Sequence, residues 1–261
     1  MERGYQENFY TLYDKFRSHE GRLSKAEKIL DALQRYSGLE LKEMTCLDVG
    51  CSTGIITSTL APHFKAMIGL DYDRTGLKLI TPEQKEEVLF LNGDAMGLPF
   101  PDHSFDVIIC AQVYEHVPSD LKLFAEMDRV LRPGGVVFFS GPNRVFPIEP
   151  HYYLPFLHWL PEKWSDRYLR LLGKGDHFYE RSRSPWNLRK VLRNFHILDV
   201  TRPVMRVYAG SQINQSRKFY RFLSAIPFAL WKLMLPLMPN YNWVLLKPAQ
   251  PAARQRYEII P

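Results

Sequence analysis

The residues best placed to do chemistry early in the chain are a glycine loop, residues 50–54, and a later acidic residue, Asp71. Glycine lets the backbone approach a ligand with no Cβ in the way. The free N–H groups of a following helix would point at that ligand. Asp71 comes 21 residues after Gly50, about the spacing at which an acidic residue holds a ribose hydroxyl pair. Because spaced glycines also close ordinary turns, the combination of loop and Asp71 is the informative observation.

The loop departs from the pattern that binds dinucleotides. That pattern, Gly-x-Gly-x-x-Gly, cradles a pyrophosphate with its second and third glycines, whereas this loop reads Gly-Cys-Ser-Thr-Gly. The loop therefore argues against an NAD-dependent oxidoreductase. A ribose site without a phosphate cradle suggests S-adenosylmethionine as the cofactor.

Six sequence blocks extend this interpretation. They are Leu47-Asp48-Val49-Gly50-Cys51 with Gly54, Gly69-Leu70-Asp71-Tyr72-Asp73, Gly93-Asp94-Ala95, Leu98-Pro99-Phe100 with Ser104-Phe105-Asp106, Glu115-His116-Val117, and Arg129-Val130-Leu131-Arg132-Pro133-Gly134-Gly135. In order and spacing they resemble the class I S-adenosylmethionine-dependent methyltransferases, in the subgroup of small-molecule and quinone-biosynthesis enzymes. The resemblance covers residues 47–140. It departs at Ser52, where many members have glycine, although serine still permits a close approach.

The elements that must position these residues alternate along the chain. Apolar runs predict strands near 45–49, 65–71, 88–92, 105–110, 135–140, 195–202 and 242–247, and helical periodicity predicts helices near 54–62, 74–80, 119–131 and 186–192. This alternation is typical of an α/β fold with helices on both faces of a parallel sheet. The resemblance implies a Rossmann-like, seven-stranded, mostly parallel sheet whose last strand is antiparallel.

The chain length of 261 residues favours one domain with an insertion over two domains. We divide it into an N-terminal helical cap (1–40), a cofactor-binding core (41–145), a substrate lid inserted after the fifth strand (146–185), and the rest of the sheet with an apolar helix (186–261). The tail after Pro248 is expected to be loose.

The resemblance implies cofactor contacts at the strand ends. Gly50, Cys51 and Gly54 would let the backbone pass along the methionine part of the cofactor, and Asp71 would hold the ribose. Asp48 would brace the loop or reach the cofactor amine through water. For each acidic residue, a helix cap or turn bond is the structural alternative.

The adenine would be bound after the third strand. Asp94 and the backbone N–H of Ala95 would bind its polar edge, and Tyr72 and Met96 would sandwich the ring. Gln112, after the fourth strand, would lie beside the methionine arm and the transferring methyl group.

The leading segment, residues 5–37, has helical periodicity in two pieces, and Ser24 with Glu27 predicts a capping box at the start of the second piece. In similar enzymes such a segment closes over the cofactor. Tyr13 and Arg17 are therefore candidate partners of the methionine carboxylate. The alternative is packing at the sheet edge with solvated arginines, which we favour for Arg22.

Candidate catalytic residues follow the fourth and fifth strands. An unperturbed histidine titrates near neutral pH, so His116 could act as a base, although its motif recurs in the family whatever the substrate, which favours positioning. The lid, rich in proline and aromatic residues, offers Glu149, His151 and Tyr153 to hold or deprotonate an acceptor hydroxyl. The alternative for these three is the polar edge of a packed subdomain.

Composition adds few constraints. The net charge of +6 suits phosphate-bearing or membrane-bound acceptors, and residues 162–193 carry nine Lys or Arg against four acids, but a solvated surface explains such charge equally well. Three cysteines, Cys46, Cys51 and Cys110, lack paired ligand spacing, so we expect reduced thiols and no metal site. No nucleic-acid partner is expected, and the first residues lack a signal segment. We expect a cytoplasmic protein.

Residues 219–239 are nearly all apolar but contain Lys232 and three prolines, which argues against a membrane-spanning helix. Packing on the sheet is one interpretation and peripheral contact with a membrane surface is the other.

These features predict an S-adenosylmethionine-dependent methyltransferase acting on a small-molecule or lipid- or glycan-linked acceptor. The alternative is a regulatory protein that binds S-adenosylmethionine without catalysis. The sequence predicts neither the acceptor nor the oligomeric state.

Overall fold

The computed structural model describes residues 9–12, 18–210, 217–250 and 255–261. The strands are β1 (Thr45–Val49), β2 (Ala66–Asp71), β3 (Leu89–Asn92), β4 (Phe105–Ala111), β5 (Leu131–Pro142), β6 (Ile148–Glu149), β7 (Leu154–Pro155), β8 (His196–Asp199), β9 (Asn240–Leu246) and β10 (Tyr257–Ile259). The helices are α1 (Phe9–Leu12), α2 (His19–Tyr36), α3 (Ile55–Leu60), α4 (Arg74–Leu77), α5 (Pro82–Glu87), α6 (Asp120–Val130), α7 (Glu162–Leu171), α8 (Pro185–Val191), α9 (Thr201–Gly210), α10 (Arg217–Ala225) and α11 (Phe228–Met234).

Eight of these strands form one sheet, in the order β3-β2-β1-β4-β5-β9-β8-β10. The strands from β1 to β5 are parallel, and β9 runs antiparallel to both β5 and β8. The carboxyl ends of the first five strands therefore meet at one edge. The predicted Rossmann-like fold is confirmed, with one strand more than the predicted seven.

The additional strand, β10, corrects the expectation of a loose tail. Tyr257 to Ile259 pair in parallel with β8, and the Tyr257 hydroxyl donates to the buried carboxylate of Asp199 at 2.7 Å. The last residues carry only a short apolar pattern, so their strand depends on this long-range pairing and is not evident locally.

Alternating residues of the central strands face two cores. Leu47, Ile108 and Phe139 pack on α6 and α8 on one side. Cys46, Val107 and Phe138 pack on α2, α3 and α9 on the other. The three cysteines are free and buried.

Helix α2 begins earlier than the predicted capping box at Ser24. Its N-cap is Ser18, whose hydroxyl accepts a hydrogen bond from the backbone N–H of Gly21. Ser24 is buried within the helix. The helix therefore starts six residues earlier than predicted, and this additional part includes Arg22, which donates to Ser52 of the glycine loop.

The apolar segment 219–239 folds as α10, α11 and a short 3-10 turn. Leu223, Trp231 and Leu235 pack with Met205 of α9, whereas Phe222 and Leu233 are 69% and 76% exposed. None of the described helices combines the length and apolar content that crossing a bilayer requires. Peripheral membrane contact through this segment stays a prediction.

Candidate active site

A cavity lies at the carboxyl ends of β1 to β4; we call it the strand-end cavity. Its wall is formed by Phe9, Gly50, Ser52, Leu70, Asp71, Tyr72, Asp73, Gly93, Asp94, Ala95, Gln112, Val113, His116 and Val117. Short α1 covers one side, where the backbone N–H of Tyr10 donates to Asp73 Oδ2 at 2.7 Å. Segments from five parts of the chain thus meet in one place, as parallel strands predict.

Gly50 allows the tight turn that starts the loop. Its φ is +83°, and a Cβ there would lie 2.4 Å from Val113 Cγ2. Its N–H donates to the Leu70 carbonyl at 2.8 Å, which ties the loop to β2. A side chain at this position would both strain the backbone and fill the cavity.

Asp71 is held by the loop that it faces. Its Oδ2 accepts from the Ser52 N–H and its Oδ1 accepts from the Asp73 N–H, each at 2.7 Å. Each carboxylate oxygen has a second lone pair, and two such acceptors side by side fit the two hydroxyls of a ribose. Burial raises the pKa of Asp71 to about 6, against the two backbone hydrogen bonds, which lower it.

Three of the four residues expected to bind adenine line the strand-end cavity. Tyr72, Asp94 and Ala95 line the cavity. Met96 does not, because its sulfur accepts a hydrogen bond from the Ser119 N–H at 3.2 Å. Val117 supplies apolar wall to this cavity, and the Tyr72–Met96 sandwich stays a prediction.

The other predicted cofactor residues lie in the loop, behind it or in the cavity wall. Asp48 is buried and accepts from the Thr57 hydroxyl of α3 at 2.7 Å, which is the bracing alternative. Gly54 caps α3 with φ +71°, and the Cys51 thiol is buried. Gln112 lines the cavity with a positive φ of 62°. Tyr13 and Arg17 lie outside the described residues.

A buried cluster of acidic and histidine side chains adjoins the cavity. His116 forms part of the cavity wall, and its ring centroid lies 4.6 Å from that of Phe9 and 4.9 Å from that of His151. His151 Nδ1 lies 2.6 Å from Glu149 Oε1. Glu149 also accepts from the backbone N–H groups of His151 and Tyr152, so this pair is firmly held.

Glu115 lies at the centre of the cluster. It is fully buried, and neither carboxylate oxygen has a hydrogen-bond partner in the described part of the chain. Its Oε1 lies 3.7 Å from His116 Nε2. Burial raises the pKa of Glu115 to about 7, partly offset by the nearby charge of His151.

Similarity to known proteins agrees with this site. A profile described as a methyltransferase domain matches residues 47–139. The ubiquinone biosynthesis O-methyltransferase of Nitrosomonas europaea is 28% identical over 180 residues, which span 65% of this chain and 72% of that protein. A probable S-adenosylmethionine-dependent methyltransferase of Mycolicibacterium smegmatis is 37% identical over 99 residues, 38% of each chain.

The fold has a solved counterpart. An S-adenosylmethionine-dependent methyltransferase from Mesorhizobium loti superposes with a TM-score of 0.55 at 16% identity, covering 88% of this chain and 98% of the other. All wall residues of the strand-end cavity except Phe9 lie within the residues that match the methyltransferase domain. Residues 47–139 form an S-adenosylmethionine-dependent methyltransferase domain. The resemblance inferred from the six blocks, the enzyme class and the cofactor are thereby confirmed.

Several residues of this methyltransferase site were not foreseen. Arg22, expected in solvent, donates to Ser52 Oγ at 3.3 Å and so reaches the glycine loop. Lys25, one turn later, has a pKa lowered to about 8, chiefly by burial. Only the correct start of α2 would have pointed to them, because their spacing from the loop carries no sequence signal.

Two observations bear on the expectations for the acceptor side. Glu149, His151 and Tyr153 all lie outside the wall of the strand-end cavity; the first two are buried, whereas Tyr153 is 66% exposed. No metal site was expected, yet Glu115, His116 and His151 each place a ligand atom within 4.8 Å of the others. Sequence spacing missed this set because His151 comes from the lid, 35 residues after His116.

Proposed function

We propose that this methyltransferase methylates a hydroxyl oxygen of a small-molecule acceptor, with His151 as the base. The Glu149–His151 pair beside the strand-end cavity carries the proposal. A likeness to enzymes named as O-methyltransferases supports oxygen as the methylated atom.

The geometry of the pair suits a base. The Glu149 carboxylate accepts from Nδ1–H and fixes the tautomer, which leaves Nε2 as the proton acceptor. Burial alone would lower the pKa of His151, but the hydrogen bond to Glu149 and the charges of Glu180 and Glu115 raise it above its ordinary value. His151 is therefore neutral, and active as a base, only above that raised pKa.

The remaining residues align the reactants. When bound, S-adenosylmethionine supplies an activated methyl group on a sulfonium. Asp71 and the glycine loop hold it, and Phe9 and His116 exclude water from the side where the acceptor enters. His151 Nε2 would accept the proton of the acceptor hydroxyl, and the bound cofactor would supply the methyl group to the oxygen.

The acceptor can be found with isotope-labelled cofactor and metabolite extracts, with mass spectrometry to locate the label. With that acceptor, we expect His151→Ala to lower kcat by about 100-fold or more while cofactor affinity stays unchanged. Glu149→Gln should lower kcat less and move the acidic limb of the pH–rate profile.

His177 offers a matched control, because its Nδ1 lies 2.9 Å from Asp166 Oδ2 in a second histidine–carboxylate pair outside the site. His177→Ala should retain full activity. Label on nitrogen or carbon, an unchanged rate in His151→Ala, or activity lost in EDTA and restored by Mg²⁺ would contradict the base assignment. Absence of any labelled product would favour the regulatory alternative.

A further inference from the structure

A second cavity, of about 750 Å³, lies between the lid and the segment that follows β4; we call it the lid cavity. Its wall includes Tyr114, Val117, Trp159 and Glu180. Val117 also lines the strand-end cavity, and the Glu180 carboxylate is close enough to raise the pKa of His151. The lid cavity therefore adjoins the proposed reaction centre, and it is large enough for a drug-sized ligand.

Two buried polar side chains in this wall have atoms without partners. His158 is 4% exposed; its Nε2 lies 2.7 Å from the Phe146 carbonyl, which can only accept, so Nε2 carries the proton. The other nitrogen, Nδ1, must then accept, and it has no partner among the described residues. Ser182 is 7% exposed and its hydroxyl is likewise unpaired there. Both atoms are enclosed within the wall, so a ligand hydroxyl that displaces the side chains covering them would satisfy both.

Two arginines of the same wall are also available. In the described part of the chain, the guanidinium groups of Arg144 and Arg181 make no hydrogen bond or ion pair, although both residues line the cavity. Arg183 differs, because its guanidinium is paired with the Asp120 carboxylate. Arg144 and Arg181 thus present positive charge suited to an oxyanion.

The wall is held in place by the core. The backbone N–H of Arg181 donates to the Glu115 carbonyl at 2.8 Å, and the Arg183 carbonyl accepts from the Arg144 N–H at 3.1 Å. The Trp159 indole N–H donates to the Arg144 carbonyl, which fixes that ring at the cavity. Preorganised walls reduce the entropy cost of binding.

We propose that the lid cavity binds the polar head of the acceptor, and that this head belongs to the sugar phosphate class. The oxyanion lies at Arg144 and Arg181, ring hydroxyls reach His158 and Ser182, and a sugar face lies against Trp159. Glu162 and Glu180, also in the wall, accept further hydroxyls but repel a bare anion. Only the claim that the bound ligand is also the molecule that is methylated rests on the proposed function.

Binding can be measured without turnover, by calorimetry on the protein saturated with S-adenosylhomocysteine. Glucose 6-phosphate, mannose 1-phosphate and myo-inositol 1-phosphate serve as probes, beside glucose, inorganic phosphate and 4-hydroxybenzoate. We expect at least one sugar phosphate to bind tenfold or more tightly than glucose and inorganic phosphate. If no sugar phosphate does so, or if 4-hydroxybenzoate binds more tightly than all three, the proposal fails.

Variants assign that binding to the cavity. The double variant Arg144→Gln with Arg181→Gln should weaken sugar phosphate binding at least tenfold. Ser182→Ala should weaken sugar phosphate binding severalfold and leave the binding of inorganic phosphate unchanged. Arg167→Gln removes the same charge from an exposed position on α7 that does not line the cavity, and should change nothing. Equal losses in Arg167→Gln, or no loss in the double variant, would overturn the assignment. Far-UV circular dichroism checks that each variant is folded.

A lipid headgroup and a free metabolite share this chemistry, and vesicles separate them. Phosphatidylcholine vesicles with and without phosphatidylinositol 4-phosphate are sedimented with the protein. If the protein sediments with the phosphoinositide vesicles and soluble sugar phosphate releases it, the acceptor is lipid-linked. If the protein binds only the soluble probes, the acceptor is a free metabolite. These measurements need no methyl transfer, so they stay valid even if His151 is not the base. If no sugar phosphate binds, the role of His151 is still tested separately by its own variants.

Discussion

The cofactor side and the acceptor side of this methyltransferase are built in different ways. The strand-end cavity is made from turns that directly follow strands, and its key acid, Asp71, is held by backbone N–H groups. The acceptor side is made from side chains that meet over long sequence distances, such as Glu115 with His151. Hydrogen bonds from backbone N–H groups depend on the shape of the turn, so neighbouring side chains can be exchanged without losing them. Side-chain contacts can be changed residue by residue, so a lid can change its acceptor while the sheet stays the same.

The largest effect is expected on the cofactor side. Asp71→Ala removes both acceptors proposed for the ribose, and hydrogen bonds to a charged group contribute about 1.5–3 kcal/mol each. Affinity for S-adenosylhomocysteine, measured by calorimetry, should fall by about 100-fold or more. Glu86→Ala, at an exposed position of α5, is the control. If Asp71→Ala retained its affinity, the ribose would not be bound by Asp71, and the comparison between the cofactor side and the acceptor side would lose its basis.

A smaller effect is expected from pH. Because burial raises the pKa of Asp71 to about 6, the carboxylate that accepts the ribose hydroxyls is protonated below that pH. Cofactor affinity should hold above pH 6 and fall by at most about tenfold per unit below it. The stability of the cofactor-free protein should change in the opposite direction. Because the folded pKa of Asp71 is raised, this group increases the free energy of unfolding as the pH falls from 6 toward 4.

Calorimetry from pH 5 to 8 checks this, with Asp71→Asn as the comparison, because an amide does not titrate. Its affinity should be low and flat across the range. A wild-type profile that is equally flat would show that the ribose contact does not use the ionised carboxylate. A fall centred near pH 7 instead would implicate Glu115, whose pKa is about 7, and would blur the distinction between the two sides.

The same difference explains what the sequence predicted. The strand β1 has its predicted bounds and Asp71 lies at its predicted strand end, because a buried apolar run and a glycine turn are local signals. The contact of Arg22 was missed because its direction depends on a partner, Ser52, that is distant in sequence. The unpaired atoms, His158 Nδ1 and Ser182 Oγ, had no sequence signal, since burial without a partner is visible only in the folded lid.

The smallest effect is expected at the far edge of the sheet, where Asp199 accepts from Trp243 Nε1 and the Tyr257 hydroxyl, each at 2.7 Å. Tyr257→Phe leaves a buried carboxylate with one donor fewer, so the free energy of unfolding in urea should fall by about 1–2 kcal/mol. Cofactor affinity should not change, because β10 contacts neither side of the site directly. Tyr36→Phe is the control, as its hydroxyl has no hydrogen bond among the described residues. If Tyr257→Phe weakened cofactor binding, the strand-end cavity would depend on distant side chains as the acceptor side does, and the two sides would no longer differ in kind.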